Sequence, residues 1–250
     1  MSFVVRELHL IGVIHATAQE QHQIAASLIG VCLSENEQEQ VSERLRDAFQ
    51  RLGFFKAAIS GVSLEAPNLS VDPPTVSVRA QVKEGGRYRL KAISFAGNTV
   101  IRNTTLLRSA VPIKDGDIFN TQGIREGLEE LRQLYGELGY INFTPVPDTQ
   151  IDDQNHLIAL NIDMSEGDPF YLASFTVQDT DLRRKAALAE LWPGMLQPGK
   201  IYNQRLVKWF FAQAQARKLL PPDANPGQYL DTRLDQCKHT VDLVLTIDPE

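Results

Sequence analysis

The sequence predicts an α+β protein of three tandem domains. Each domain runs strand, helix, helix, strand, strand, with a three-stranded mixed sheet and two helices on one of its faces. Three observations predict it. A short opening pattern recurs: Leu8-His9-Leu10-Ile11-Gly12, then Ile93-Ser94-Phe95-Ala96-Gly97 85 residues on, then Phe175-Thr176-Val177-Gln178-Asp179 a further 82 residues on. Each unit closes on an alternating apolar run: Val76, Val78, Ala80 and Val82; Ile158, Leu160, Ile162 and Met164; Val241, Leu243, Leu245 and Ile247. Alternation of this kind is the period of a half-buried strand. Between them, residues 124, 128, 131, 135 and 138 are Ile, Leu, Leu, Tyr and Leu, one apolar stripe of a long helix. A repeat of about 80 residues is too long for a solenoid turn and long enough for a small domain. The units are assigned to residues 1–86, 87–168 and 169–250.

The middle unit justifies each element. Arg87 to Gly97 reads as a strand that the turn signal Gly97-Asn98 ends. Asn103 or Thr104 caps a short helix that Pro112 stops. Asp115-Gly116-Asp117 turns the chain, and Asn120 caps the long helix, which Gly139 ends in a left-handed conformation. Tyr140 to Val146 is extended, and Pro145 and Pro147 confine it to a sheet edge, because proline cannot donate to ladders on both sides. Residues 152–155, Asp-Asp-Gln-Asn, turn into the last strand, and Glu166-Gly167 closes the unit.

The first unit repeats this order. Phe3 to Gly12 opens it, Gln19 to Ile29 is its first helix, and Asn36 caps a second helix through Val41, Leu45, Phe49 and Leu52. Gly53-Phe54 matches Gly139-Tyr140, and Glu84-Gly85 matches Glu166-Gly167. The third unit is looser. Ile201-Tyr202-Asn203 matches Ile118-Phe119-Asn120, but Leu219-Leu220-Pro221-Pro222 replaces the Gly-Tyr stop, and no Gly-Asn follows the opening strand.

Composition excludes several classes. The chain has 250 residues, 43% hydrophobic and 22% charged, with a net charge of −6 and no Lys/Arg-rich run, so nucleic-acid binding is not expected. The longest apolar stretch, Ala25 to Leu33, is far short of a membrane-spanning helix. Met1 to Ala18 ends in Ala16-Thr17-Ala18, like a signal-peptidase site, but Arg6, Glu7 and His9 interrupt the apolar region. An export signal, if the protein has one, is expected outside this chain. Cys32 and Cys237 are expected to be free and mostly buried thiols, and no zinc spacing occurs. His15 and His22 stand seven apart across a helix start and, like His9, His156 and His239, read as solvated or structural rather than metal-binding. Asp152-Asp153 and Asp179 with Asp181 read as turn residues, without the ligand density a calcium loop needs. No Gly-x-Ser-x-Gly or phosphate loop is present, so neither an enzyme nor a cofactor or metal is expected. Trp209, Phe210 and Phe211 cannot all face one side of a helix, so at least one is expected to be exposed or to pack on a neighbour.

The middle unit resembles a POTRA (polypeptide-transport-associated) domain. The resemblance is carried by Gly97-Asn98, Gly116-Asp117-Ile118-Phe119, Tyr135, Gly139-Tyr140 and Glu166-Gly167 in order. The first unit shares much of the pattern and the third part of it. Tandem arrays like this precede the membrane barrel of outer-membrane assembly proteins such as BamA and TamA, and of two-partner secretion pores. The resemblance implies a periplasmic, non-catalytic arm that binds unfolded outer-membrane or secreted polypeptides by strand addition, with accessory lipoproteins as further partners. It implies attachment to the outer membrane through a barrel outside this chain. The chain stops at Asp248-Pro249-Glu250, where the middle unit reaches Glu166-Gly167, as a fragment cut before the next segment would. The alternative is an envelope adaptor or two-partner-secretion region with one fixed partner.

Strand addition reads backbone groups at an uncovered edge. The candidate edges are residues 57–65, with Ala57, Ile59, Val62 and Leu64; 141–146, with Ile141, Phe143 and Val146; and 229–235, with Tyr229, Thr232 and Leu234. Glu84, Gly85 and Gly86, and Glu166, Gly167 and Asp168, are the candidate interdomain hinges, short enough to limit bending.

Overall fold

The computed structural model describes residues 2–34, 36–194 and 196–247. The ending at Asp248-Pro249-Glu250 lies outside the described residues. The chain is α+β, with three successive sheets. It divides into two compact units: residues 1–94 with 111–127 and 147–161, and residues 95–110 with 128–146 and 162–250. The second domain contributes to both.

The first domain comprises β1 (Ser2–Ile11), α1 (Ala18–Ala26), β2 (Cys32–Ser34), α2 (Gln38–Arg51), β3 (Ala58–Leu64) and β4 (Thr75–Lys83). Its sheet has the order β2-β1-β4-β3, with β1 parallel to β4 and the outer pairs antiparallel. The expected three strands are therefore four. The extra one arises because Val5 exchanges backbone hydrogen bonds with Gly30 and Val31, and the β-prone run Cys32-Leu33 continues the pairing along Phe3 and Val4. In the later domains isolated bridges stand in its place, Arg89 to Ile118 and Tyr171 to Ile201. Thr17 and Glu20 form a capping box on α1. Asn36 does not cap α2 as expected: the N-cap position is Glu37, whose side chain reaches back to the Ser34 N–H at 2.8 Å. Ile24, Leu28, Val41, Leu45 and Phe49 close over Phe3, Val5, Val78 and Ala80 to make the core.

The second domain comprises β5 (Arg89–Ala96), α3 (Thr104–Ser109), α4 (Thr121–Gly136), β6 (Thr144–Asp152) and β7 (Leu157–Ser165), in the sheet order β5-β7-β6. Asn103 caps α3 through the N–H groups of Thr105 and Leu106, and Asn120 caps α4 through that of Gln122. Four residues of the expected stripe, Ile124, Leu128, Leu131 and Tyr135, are buried. Leu138 is not: the helix has ended, and Leu138 is 41% exposed. Gly139 turns the chain with φ +86°.

The third domain comprises β8 (Tyr171–Gln178), α5 (Leu182–Leu191), α6 (Gln204–Ala216), a single turn α7 (Pro226–Tyr229), β9 (Leu230–Asp235) and β10 (Thr240–Thr246). The sheet order is β8-β10-β9, with β8 parallel and β9 antiparallel to β10. Asp181 and Asn203 cap the helices. Lys218, with φ +59°, holds the left-handed position after α6 that a glycine holds in the other two domains. Phe210 and Phe211 are buried and Trp209 is 44% exposed, while Trp192 stacks on Phe175 at 3.6 Å.

Both cysteines are free, and both are exposed rather than buried. In β2 it is Leu33, not Cys32, that faces the core, and Cys237 sits in the hairpin turn that Asp235 caps. Among the described residues no helix is long and apolar enough to cross a membrane, and no His/Cys/Asp/Glu group could hold a metal.

Candidate polypeptide-binding edges

Each hairpin puts one strand at the rim of its sheet, and the three rims differ. In the first domain the rim is β3. Ala57 is buried just before it, whereas Ile59, Val62 and Leu64 lie on it and pack inward against the core. Between Ser60 and Ser63 the register slips at Gly61, which adopts φ +56°. Such a bulge bends the strand beyond it. After the bulge, Val62 and Leu64 join Phe3, Gln38, Pro67 and Val76 around a groove of about 400 Å³. The Glu65 N–H bonds the Ser77 carbonyl at 2.9 Å, so by alternation the Leu64 N–H faces the open side.

In the second domain the strand at the rim is β6, which begins at Thr144 rather than at Tyr140. Ile141 and Phe143 precede it. Phe143 is buried and stacked on Tyr135 at 3.9 Å, and Ile141 packs against the core of the third domain. Of the three residues expected on this edge, only Val146 is on the strand, 49% exposed. Pro145 and Pro147 flank it and supply no N–H, which blunts the start of the edge for pairing.

In the third domain the strand at the rim is β9. Tyr229 ends α7, while Thr232 and Leu234 lie exposed on the strand beside the ion pair of Arg233 with Asp231, at 2.7 Å. Charges along an edge oppose pairing with another chain. The β3 rim has a groove beside it and, of the three, is the one with neither a proline nor a charged residue within the strand; Glu65, just past its end, is turned onto Arg79 at 2.9 Å.

The two junctions are built to a common plan. Within the first compact unit, the Glu84 carboxylate is 3% exposed and accepts from three consecutive backbone N–H groups, those of Ile14, His15 and Ala16, at 2.6–3.0 Å. Burial pushes its pKa up, but these donors outweigh that and hold it below the usual carboxylate range. Within the second unit, Glu166 accepts from the Tyr135 phenol at 2.7 Å, the Val100 N–H at 3.0 Å and the Thr99 hydroxyl. Burial again opposes, and the hydrogen bonds from Thr99 and Tyr135 prevail, so this carboxyl too lies low. Burial and the Glu166 charge push the Tyr135 phenol well up.

Gly53 and Gly139, which end the long helices, each offer a carbonyl to the following domain, to Tyr88 N–H and Phe170 N–H, both at 2.9 Å. A side chain at either glycine would collide: its Cβ would lie 2.3 Å from Ile118 Cγ2 at Gly53 and 2.7 Å from Ile201 Cγ2 at Gly139. His156 and His239, both left-handed, set their rings 5.3 and 5.4 Å from Tyr88 and Phe170. Gly85 and Gly167 also have positive φ, a Cβ at Gly86 would lie 2.1 Å from the His156 ring, and Asp168 lies 3.7 Å from His239. Lys56 reaches across the first junction to Asp153, which also accepts from Tyr88 on its own side, and the second junction is bridged from Asn142 to Gln236 and from Arg205 to Glu137. Of the residues expected to hinge, Glu84 and Glu166 are each bonded to the domain that they close.

Sequence reading missed the carboxylate role of the two glutamates, although their recurrence before glycine is visible. It also missed the Gly61 bulge, which one glycine in a strand signals.

Comparison with known proteins agrees with the fold. Residues 88–167 match the family model described as POTRA: Surface antigen variable number repeat. The chain is 24% identical over 172 residues to the outer membrane protein assembly factor BamA of Buchnera aphidicola, covering 66% of this chain and 26% of that protein. It is 25% identical over 185 residues to BamA of Neisseria meningitidis serogroup B, covering 70% and 23%. The chain therefore spans about a quarter of the length of these curated relatives. The crystal structure of Haemophilus influenzae BamA POTRA3-5 superposes with a TM-score of 0.71 at 19% identity, covering 100% of this chain and 97% of that one.

Proposed function

We propose, from the premise that this chain carries tandem POTRA domains, that it is a periplasmic, non-catalytic arm that captures polypeptide by strand addition at β3. The domain boundaries are taken at residues 86 and 168. The observation that carries the reading is the open backbone edge at 62–65 beside an apolar groove lined by Phe3, Val62, Leu64 and Val76. An incoming strand pairs its backbone with the rim, and every second side chain points to the groove face. Backbone pairing tolerates many client sequences, while the groove favours clients with alternating apolar residues. Outer-membrane β-strands have that alternation. The curated relatives are assembly factors of the outer membrane, and on this reading the clients are unfolded outer-membrane or secreted polypeptides. Accessory lipoproteins would be further partners, and a barrel outside this chain would anchor the arm.

The test is hydrogen exchange with and without a peptide of alternating Leu/Val and Ser/Thr at concentrations near 1 mM, where an affinity of about 4 kcal/mol is visible. Protection concentrated at 58–65 and lost in Leu64→Pro is the expected result. No new protection, or the same protection in Leu64→Pro, overturns it and leaves the fixed-partner adaptor as the reading.

A further inference from the structure

Leu138 belongs to the apolar stripe of the second domain by spacing, yet it is exposed, and it is not alone. Within the second compact unit, Val100 (37% exposed), Leu138 (41%) and Ile201 (46%) join Tyr140 and Leu206 around a groove of about 590 Å³. Its walls are preset. Val100 is held by Glu166 through its N–H, Leu138 by the Gly139 turn, and Leu206 by the Asn203 cap. Three separate anchors thus hold these apolar side chains in place.

Charge around the groove has one sign to spare. Glu137 at the rim is answered by Arg205 at 3.5 Å. Lys200, at the same rim, and Lys208, which lines the adjoining cleft with Glu137 and Arg205, make no ion pair among the described residues. Trp209 stands exposed next to Lys208 on α6. The chain as a whole is acidic, with a net charge of −6, so two unanswered lysines beside an apolar groove run against the background.

We propose that this groove docks an extended, acidic segment of a partner protein that carries two adjacent large apolar side chains. The apolar pair enters between Leu138, Val100 and Ile201, and flanking carboxylates meet Lys200 and Lys208. The site is separate from the β3 rim and uses side chains where that rim uses backbone.

The probe is Asp-Glu-Leu-Phe-Asp-Glu-amide carrying fluorescein on its N-terminal amine through an aminohexanoyl spacer, titrated with the whole chain and followed by anisotropy. Saturable binding is expected, weakening several-fold from about 0.05 M to about 0.3 M salt as the charges are screened. Lys200→Glu with Lys208→Glu is expected to weaken it at least about tenfold, the loss of two ion pairs beside an apolar contact. Leu138→Ser, a change at an exposed side chain that leaves the thermal melt in place, is expected to weaken it similarly. Leu64→Pro at the β3 rim should leave it unchanged, which separates this site from the client edge. Absence of saturation by about 1 mM, equal binding of the Lys-for-acid peptide, or loss in Leu64→Pro overturns the proposal. So does concentration-dependent dimerisation abolished by Leu138→Ser, which would assign the groove to a second copy.

Discussion

Glu84 and Glu166 stand at the same place in successive domains and are satisfied by different chemistry. Glu84 draws on three backbone N–H groups in a row, which almost any sequence at 14–16 supplies. Glu166 draws on the Val100 N–H and on two hydroxyls, those of Thr99 and Tyr135. The difference traces to one position of the long helix. Four residues before its terminal glycine the second domain has Tyr135 and the first has Phe49, which offers no donor. A buried carboxylate needs its acceptor sites filled, and it can be filled by backbone geometry or by side-chain chemistry. Only the second is exposed to point mutation.

The glycines that follow the two long helices test the shared part of the plan, and the largest effects are expected there. A branched side chain in the left-handed region costs about 1–2 kcal/mol, and overpacking adds about 1–3. Gly53→Val and Gly139→Val should each lose about 3 kcal/mol in urea unfolding, with Gly53→Val the worse because its Cβ would lie 2.3 Å rather than 2.7 Å from the opposing isoleucine. Equal effects would mean that φ alone, not the junction, sets the requirement.

Removing the carboxylates comes next. Glu84→Ala and Glu166→Ala each orphan buried donors and should cost about 2 kcal/mol. The pH dependence follows from the direction of the shifts. Both folded-state values lie below the ordinary 4.5, so the unfolded chain binds protons first as pH falls. The contribution is complete above 4.5 and is lost as pH drops below it through the folded values. Each Ala variant should therefore differ most from the parent at neutral pH and converge on it in acid. A gap that widens in acid would contradict this.

Much of this architecture is legible in the repeat, and the losses have physical causes. Closing strands, helix stripe and Asn caps are local patterns, so Asn103 and Asn120 are readable directly. β2 escapes because three residues carry no periodicity; its pairing with β1 exists only in the sheet. The extended segment expected at 140–146 becomes a strand only at Thr144, because Phe143 is apolar in the manner of a strand residue yet serves to stack on Tyr135. Cys32 reads as buried by residue type, whereas alternation in β2 turns it outward. Among the edges, sequence marks the prolines of β6, but the groove beside β3 brings together residues from 3 to 76, which no local pattern unites.

Tyr135→Phe sharpens the comparison by making the second domain resemble the first at that position. The substituted ring would fill the same space and keep the stack on Phe143, so only the phenol's bond to Glu166 is lost. A charge-assisted hydrogen bond of this kind contributes about 1.5–3 kcal/mol, and the lower end is expected because Thr99 and Val100 still hold the carboxylate. The acid-induced loss should also be smaller and complete at higher pH, because a donor that depresses the folded-state Glu166 pKa has gone.

The smallest effect has the opposite sign and lies in the third domain, where Lys218 occupies with φ +59° the position that glycine holds in the other two. Lys218→Gly removes the left-handed penalty and should stabilise by up to about 1 kcal/mol, less what a freer unfolded chain takes back. The same residue change that is forbidden in reverse at Gly53 and Gly139 is thus expected to help here. The contrast separates two reasons for a glycine after a long helix: conformation alone, which a lysine meets at modest cost, and close approach of a neighbouring domain, which it could not meet. If Lys218→Gly destabilises instead, the lysine side chain makes a contribution of its own, and the equivalence of the three helix ends fails at that point.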